Sequence, residues 1–240
     1  MNKTLKFIKK ESKLSEKEKE NFTLVIPAYN EEKIIGDLLD YSKNFVNNIL
    51  VILAKNSKDK TLEIIKDKKI PYIKDNGNGK GAALRLALKV VKTPFVVFMD
   101  ADGSHDPKDI PNMIKPLLEG KCDMVIGSRV TGGSDEVQGN LDNFIRGFLC
   151  NIIVLIINYR FGVRNTEYEN GFRALKINSA KRWRLKENSF TIEQEMVIKC
   201  LKKGDHLMEV PTHEYEGGKS SFSVLKVGPR FLYQIIRDIF

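Results

Sequence analysis

Residues that bind soft metals or form disulfides are scarce in this chain of 240 residues, which has three cysteines and three histidines. The cysteines, Cys122, Cys150 and Cys200, form no CxxC pair, and the histidines are widely separated. This spacing argues against a structural zinc site. An odd number of widely spaced cysteines favours buried free thiols in a reducing compartment.

Long apolar runs are also absent. No stretch reaches the roughly 20 residues that a transmembrane helix needs, and the N-terminus lacks the apolar segment of a secretory signal peptide. Residues 1–20 are instead rich in lysine and glutamate. We interpret them as a charged N-terminal leader that is solvated and partly helical.

Basic residues outnumber acidic ones by 40 to 31, which gives a net charge of +9. Such a charge attracts nucleic acids, anionic lipids or phosphorylated substrates. The basic residues beyond the leader are dispersed and lack the interleaved aromatic residues of an RNA-binding sheet, so no nucleic acid partner is expected. A hydrophobic content of 42% and a charged content of 30% are typical of a globular protein.

Short apolar runs alternate with amphipathic segments in the first half of the chain. The apolar runs predict buried strands at 22–27, 49–54, 70–74, 94–100 and 122–127. The segments between them predict helices at 31–47, 59–68, 79–92 and 107–119, with candidate helix starts at Asn30, Ser57 and Asp106. This alternation predicts an α/β fold with a mostly parallel, twisted sheet flanked by helices.

The pattern changes after Arg129. A glycine-containing loop at 131–140 precedes a strongly apolar helix at 143–161, which suits either the protein core or a bilayer surface. Further elements are predicted as helices near 177–184 and 190–203, a strand at 206–211 and an amphipathic C-terminal helix at 222–240, broken near Gly228 and Pro229.

Polar residues stand at the carboxyl end of each predicted strand. In a parallel sheet these ends meet along one edge, and ligands bind there. The five polar segments are 27–31, 54–57, 75–77, 100–102 and 127–129. We expect them to cluster on one rim of the sheet.

Asp100 and Asp102 are the most informative residues on that rim. Two carboxylates separated by one residue, directly after a buried strand, can share Mg²⁺ or Mn²⁺, and substrate phosphates commonly complete the coordination of such ions. The glycine-rich segment 77–81 opens a helix on the same rim, where backbone amides can approach a phosphate. A plain strand-to-helix turn is the alternative for this segment.

Five short motifs, in this order along the chain, resemble those of family 2 glycosyltransferases of the GT-A fold. They lie at 26–32, 56–61, 79–83, 99–102 and 127–129. Within that family the chain is most similar to polyprenyl (dolichyl) phosphate mannosyl- and glucosyltransferases. The resemblance implies a Rossmann-like GT-A domain at 21–240, divided into a donor and metal half at 21–129 and an acceptor half at 130–240.

The resemblance also implies roles for individual residues. The donor nucleotide sugar would be bound by Pro27, Tyr29, Glu31, Asn56, Lys80 and Asp100. The metal ion would be bound by Asp100 and Asp102, with Ser104 at a third ligand position. Asp102, Arg129 and Arg146 are the candidate catalytic residues, and the two arginines would bind the acceptor phosphate. A surface ion pair is the alternative for Arg129, and a position at the lipid interface is the alternative for Arg146.

Three positions depart from the family pattern. Ala54 and Lys55 stand where two acidic residues are usual, and the first of those typically contacts the nucleotide base. Ser104 replaces a common glutamine, and Glu216 replaces a common arginine. These departures leave open an altered donor preference or a weakened enzyme.

The implied reaction is a metal-dependent, inverting transfer of mannose or glucose from a GDP- or UDP-sugar to polyprenyl phosphate. The alternatives are a glycosyltransferase with a soluble sugar or protein acceptor and a nucleotide-sugar-binding protein with weakened catalysis. A lipid acceptor gives the apolar helix at 143–161 a role at the membrane surface. We therefore expect a peripheral enzyme at the cytosolic face of the membrane, without a transmembrane helix.

For three residues in the second half a structural role is favoured over a functional one. Glu193 and Glu195 are either rim residues or exposed glutamates on a helix, the latter being favoured. Trp183, the only tryptophan, is interpreted as a packing residue.

Overall fold

A computed structural model of the chain describes residues 13–135, 141–217 and 237–239, and the side chains of 141–147 and 149 lie outside that description. The strands are β1 (Phe22–Ala28), β2 (Ile49–Leu53), β3 (Tyr72–Lys74), β4 (Phe95–Phe98), β5 (Met124–Ser128), β6 (Arg173–Lys176) and β7 (Leu207–Pro211). The helices are α1 (Glu16–Lys19), α2 (Ile35–Ser42), α3 (Thr61–Asp67), α4 (Lys80–Val90), α5 (Ile110–Leu118), α6 (Arg129–Gly132), α7 (Leu141–Phe161), α8 (Ile177–Trp183) and α9 (Ile192–Lys202).

All seven strands belong to one sheet in the order β3-β2-β1-β4-β6-β5-β7. β1 pairs in parallel with β2 and β4, β2 pairs in parallel with β3, and β5 pairs in parallel with β7. β6 is antiparallel to both of its neighbours, β4 and β5. The predicted α/β fold with a mostly parallel sheet is confirmed.

Helices cover both faces of the sheet because successive strand residues are buried on opposite sides. On one face, Val25 and Ile52 pack in a cluster with residues of α4, α7, α8 and α9. On the other face, Ile26 and Val51 pack with residues of α2, α3 and α5. A strand that is apolar on both sides appears in the sequence as a continuous apolar run. This run predicts the strand without any information about its neighbours.

Strand β6 was not predicted. Its four residues include a lysine and Arg173, whose side chain is completely buried. The Arg173 guanidinium donates to the backbone oxygens of Tyr168, Asn170 and Glu193. A fully buried arginine is rare, so no local pattern indicates a strand in the interior of the sheet at this position.

Two of the three candidate helix starts were wrong. The helix predicted to follow Asn30 begins at Ile35, and the one predicted to follow Ser57 begins at Thr61. Asn30 adopts a left-handed conformation with φ 56°, and its Oδ1 accepts from the Lys58 backbone N–H at 2.8 Å and from the Ser57 hydroxyl at 3.2 Å. These side chains join the loops after β1 and β2 instead of capping helices.

The third candidate start, Asp106, is confirmed, since its carboxylate accepts from the Lys108 backbone N–H at the start of a short 3₁₀ turn, Pro107–Asp109. The other predicted strands and helices occur close to their expected positions. Of the loop predicted at 131–140, residues 131–132 belong to α6 and residues 136–140 lie outside the described residues. The leader prediction at 1–20 falls mainly outside the described residues, apart from the short α1, and the prediction for 222–240 falls outside them except at 237–239. Within the described residues, no helix combines the length and hydropathy needed to cross a bilayer.

Candidate active site

A cleft of about 1150 Å³ opens at the carboxyl ends of β1 to β4. It lies where the chain order of the strands reverses between β1 and β4, the usual ligand site of an open α/β sheet. Residues from all five predicted rim segments line it, so the expectation that they cluster is confirmed. Nine of the ten predicted site residues line this one cleft: Pro27, Tyr29, Glu31, Asn56, Lys80, Asp100, Asp102, Ser104 and Arg129.

Lys80 connects two acidic residues within the cleft. Its Nζ lies 2.6 Å from Oδ1 and 2.9 Å from Oδ2 of Asp100, and 3.0 Å from Oε1 of Glu193. Burial alone would raise the pKa of Asp100, but Lys80, His105 and Arg173 together outweigh that effect and the net shift is downward. Burial lowers the pKa of Lys80, but Asp100 and Glu193 raise it by more. Lys80 and Asp100 therefore both remain ionised at neutral pH.

A glycine gives this ion pair the space that it needs. A Cβ atom at Gly171 would lie 2.8 Å from Nζ of Lys80 and would collide with Oδ2 of Asp100. The backbone just before β6 can therefore approach the pair only because residue 171 has no side chain.

The Asp102 carboxylate is held by Ser104, two residues further along the chain. Its Oδ1 accepts from the Ser104 hydroxyl at 2.7 Å and from the Ser104 backbone N–H at 3.0 Å. The Tyr215 backbone N–H in turn donates to the Ser104 carbonyl at 2.9 Å. The loop after β4 is thus tied to the segment after β7, and this contact orients the Asp102 carboxylate.

Glu31 is the third carboxylate near this loop. Burial and the negative charges of Asp102, Asp59 and Asp100 raise its pKa to about 7. Burial is the largest cause of this shift, and the three neighbouring carboxylates that add to it make an environment suited to a cation.

The residues of this loop fit a hard divalent cation. Asp100 and Asp102 supply carboxylate oxygens and Ser104 supplies a hydroxyl, which are the ligand types that Mg²⁺ and Mn²⁺ prefer. Within the described part of the chain, no three His, Cys, Asp or Glu side chains come close enough to form a complete metal site. A cation here would therefore need water or substrate oxygens to complete its coordination, as is common for Mg²⁺.

Arg129 lies at the start of α6 between two buried carboxylates. Its Nε donates to Oε2 of Glu167 at 2.8 Å, and its Nη1 donates to both oxygens of Glu214 at 3.0 and 3.1 Å. Burial lowers the pKa of Arg129, but Glu167 and Glu214 raise it by more. Arg129 does form ion pairs, as its alternative interpretation expected. These pairs are largely buried instead of lying on the surface, and Arg129 and Glu214 line the cleft.

The remaining predicted residues have different outcomes. Arg146 belongs to α7, but its side chain lies outside the described set. The interpretation of Glu193 and Glu195 as exposed was wrong, because both are buried at the start of α9. Trp183 is confirmed as a packing residue, with 2% of its surface exposed and its Nε1–H donating to Asp205 at 2.6 Å.

Sequence reasoning missed Glu169 as a residue of the cleft, and it placed Asp75 on the rim without giving it a role. Glu169 accepts from the Cys150 thiol and from the Gln194 amide, and burial raises its pKa. Asp75, at the end of β3, is buried and also lines the cleft. The position of Asp75 at the end of a predicted strand indicated that it lies on the rim. No sequence pattern indicated that Glu169 lies in the cleft.

Comparisons with known proteins agree with this geometry. Residues 23–182 match the family model described as "Glycosyl transferase family 2". An uncharacterised protein of Methanocaldococcus jannaschii is 33% identical over 85% of this chain and 85% of its own length. A UDP-N-acetylglucosamine–dolichyl-phosphate N-acetylglucosaminyltransferase of Methanococcus voltae is 27% identical over 78% of this chain and 83% of its own. A dolichyl-phosphate β-glucosyltransferase of Trichomonas vaginalis is 28% identical over 84% of this chain and 68% of its own length.

Solved structures share the fold. Glucosyl-3-phosphoglycerate synthase of Mycobacterium tuberculosis, crystallised with Mn²⁺, uridine diphosphate and phosphoglyceric acid, superposes with a TM-score of 0.69. The alignment covers 91% of this chain and 77% of that one at 18% identity, a likeness that supports the fold alone. Together with the matching family model, it shows that the chain belongs to glycosyl transferase family 2 and is a glycosyltransferase with the GT-A fold.

Proposed function

We propose that the protein transfers a hexose, glucose or mannose, from a nucleotide diphosphate sugar to a polyprenyl phosphate, with the aid of Mg²⁺ or Mn²⁺. The observation that carries this proposal is the presence, in one cleft, of the Asp100–Asp102 carboxylates and the buried guanidinium of Arg129. The first suits a cation on a diphosphate and the second suits a phosphate. Relatives named as dolichyl-phosphate glycosyltransferases support a lipid phosphate as the acceptor.

The donor would lie along the ends of β1 to β4. Pro27, Tyr29, Glu31 and Asn56 line this part of the cleft and would contact the nucleotide. Asp100 and Asp102, with Ser104, would hold a divalent ion, which neutralises negative charge on the departing diphosphate. Lys80 lies next to Asp100 and would add a positive charge on the same side.

The acceptor needs orientation more than activation. The second pKa of a phosphate monoester is about 6. The group is therefore mostly a dianion at neutral pH. One of its oxygens would form the new bond to the anomeric carbon while the bond from that carbon to the diphosphate breaks, which inverts the configuration. Arg129, and Arg146 as a second arginine, would hold the acceptor phosphate by charge-assisted hydrogen bonds.

A lipid acceptor is favoured over a soluble one by the exposed face of α7. Phe148, Leu155 and Tyr159 are spaced by seven and four residues, lie on one face of this helix and are 59%, 67% and 93% exposed. Arg160 is exposed next to them. An apolar face beside a basic side chain suits the surface of an anionic bilayer. We propose that the enzyme works at the cytosolic face of a membrane.

The proposal is tested by incubating the full chain with Mn²⁺, radiolabelled UDP-glucose or GDP-mannose, and polyprenyl phosphate in detergent. We expect the label to move into the lipid fraction and EDTA to stop the transfer. Asp102→Asn should reduce the rate by at least about a hundredfold, whereas Asp37→Asn, at an exposed position of α2, should leave it unchanged. Labelling of soluble acceptors alone would overturn the lipid assignment. Nucleotide binding without transfer to any acceptor would favour a protein that binds nucleotide sugars but has lost catalysis.

A further inference from the structure

Asp75 is a buried carboxylate that is fixed through only one of its oxygens. It follows β3, is 6% exposed and lines the cleft. Its Oδ1 accepts from the backbone N–H of Lys55 at 2.9 Å and from that of Gly77 at 2.7 Å. No donor within the described part of the chain is bonded to Oδ2. The carboxylate is therefore held in a defined orientation with one acceptor oxygen still available.

The position of Asp75 along the cleft matches one end of a nucleotide. β3 is the edge strand, and two strands, β2 and β1, separate it from β4, which leads to Asp100. Three strand spacings of about 4.8 Å place the two strand ends about 14 Å apart. That span is comparable to the reach of a nucleoside diphosphate from its base to its second phosphate. With the diphosphate at Asp100 and Asp102, the base would lie at the end of β3.

The end of the neighbouring strand offers little competition for the base. Ala54 follows β2 and lines the cleft with a methyl group, which forms no hydrogen bond. The Lys55 backbone N–H is already bonded to Asp75. Asn56, further along this loop, also lines the cleft and carries an amide, but Asp75 is the carboxylate at these two strand ends that lines the cleft, and it is fixed in place by two backbone hydrogen bonds.

The available oxygen distinguishes between bases by chemistry. An ionised carboxylate only accepts hydrogen bonds. Uracil presents an imino N3–H and guanine an imino N1–H, whereas cytosine and adenine present a ring nitrogen with a lone pair at the corresponding positions. A lone pair facing a buried carboxylate is repelled, and both groups lose their water. One available oxygen matches the single N–H of uracil, while guanine would leave its amino group to find another partner.

We propose that Asp75 reads the base of the donor nucleotide and prefers uracil first and guanine second over cytosine and adenine, whose amino groups could reach the oxygen only with a ring lone pair beside it. This inference rests on the proposed function, because it assumes that a nucleotide sugar occupies the cleft. It assigns the choice of base to the end of β3.

The test is a change of preference in Asp75→Asn. Asparagine has nearly the same shape, and its Oδ1 can keep both hydrogen bonds to the loop, so that an NH₂ group replaces the available oxygen. We expect calorimetry with Mn²⁺ to give UDP affinity at least about tenfold weaker than in the wild type. CDP, whose N3 accepts a hydrogen bond, should bind more tightly to the variant than to the wild type. Asp67→Asn, at an exposed position of α3, should retain the wild-type order of UDP, GDP, CDP and ADP.

The possible results separate this inference from the proposed function. A wild type that transfers hexose from a UDP-sugar, with an unchanged UDP to CDP ratio in Asp75→Asn, would overturn the role of Asp75 and leave the function intact. A wild type that binds CDP or ADP as tightly as UDP would also overturn it, and this measurement needs no variant to fold. A wild type that binds none of the four nucleotides would overturn the proposed function and this inference together.

Discussion

The ammonium of Lys80 contacts both carboxylate oxygens of Asp100, at 2.6 and 2.9 Å. Glu193 shares the same ammonium, so that one cation lies between two carboxyl groups. A divalent ion that binds Asp100 therefore meets a carboxylate whose charge is already partly neutralised. The arrangement keeps two buried acids compatible with folding and leaves negative charge near Asp102 for a cation.

Replacing Lys80 should destabilise the fold. In Lys80→Met, Glu193 would remain buried without a partner, and breaking a buried ion pair in this way typically costs about 3 kcal/mol. Urea denaturation measures the loss. Lys89→Met, at an exposed position of the same helix, is the matched control and should change stability by less than about 0.5 kcal/mol. Equal stability of the two variants would contradict the structural role of the Lys80 ion pairs.

Glu31 should make stability depend on pH. Its pKa in the folded protein, about 7, lies above the usual value of 4.5, so the folded state binds a proton at this residue more tightly than the unfolded chain does. The resulting stabilisation is fully present below the unfolded pKa and is lost as the pH rises through about 7. We expect the free energy of unfolding of the wild type to fall, relative to Glu31→Gln, between about pH 5 and pH 8.

The control for this pH dependence is Glu63→Gln, at an exposed position of α3. The difference between that variant and the wild type should be flat over the same range. A flat difference for Glu31→Gln as well would show that Glu31 has no raised pKa.

Arg129→Lys should damage both stability and acceptor binding. A lysine retains the charge but cannot bridge Glu167 and Glu214 with two separate nitrogen atoms, so one buried carboxylate loses its partner. We expect a loss of about 2 kcal/mol in urea denaturation and a KM for polyprenyl phosphate at least about tenfold higher, with less change in the KM for the donor. An unchanged acceptor KM would argue against Arg129 as a phosphate ligand.

Arg182→Lys provides the matched comparison. Arg182 forms an ion pair with Asp205 at 2.6 Å, its side chain is 53% exposed, and it is absent from the lining of the cleft. Because Arg182 is half exposed and a lysine can keep the charge beside Asp205, whose side chain is 10% exposed, the exchange should cost less than about 1 kcal/mol. This variant should therefore keep both the stability and the acceptor KM close to those of the wild type.

The apolar face of α7 should control binding to lipid. In the double variant Leu155→Glu and Tyr159→Glu, two negative charges replace apolar groups, and we expect co-sedimentation with anionic phospholipid vesicles to fall several-fold. Tyr41→Glu changes an aromatic residue that is 45% exposed on α2 and should have a smaller effect. Equal losses in both variants would indicate a general response to charge rather than a binding face.

The sequence predicted the parts of the fold that depend on local patterns. Strands buried on both faces produce runs such as that of β2, and such runs are visible without any knowledge of neighbours. Strand β6 depends on a buried arginine whose partners are backbone carbonyls from two other segments, and no local pattern reports them. The helix starts at Asn30 and Ser57 were wrong for a similar reason, because each side chain bonds to the other loop.

The candidate site also contains some residues that a local sequence pattern predicts and others that depend on tertiary contacts. Asp100 and Asp102 follow a strand directly, so their place on the rim could be predicted from the order of elements. The carboxylates that neutralise Lys80 and Arg129 are Glu193, Glu167 and Glu214, which are distant in sequence from the cations that they contact. Their burial results from tertiary packing. For Glu193 the sequence alone favoured an exposed position on a helix, and for Glu167 and Glu214 it predicted no role.

Gly171 makes no side-chain contact, yet it limits which sequences can maintain this cleft. Any substitution of a glycine adds a Cβ atom. At position 171 that atom would collide with the Lys80–Asp100 pair. Homologous chains that gain a side chain at this position would have to separate the lysine from the aspartate or move the strand that follows. The identity of a residue without functional groups is in this way coupled to the chemistry of two charged residues that are distant in sequence.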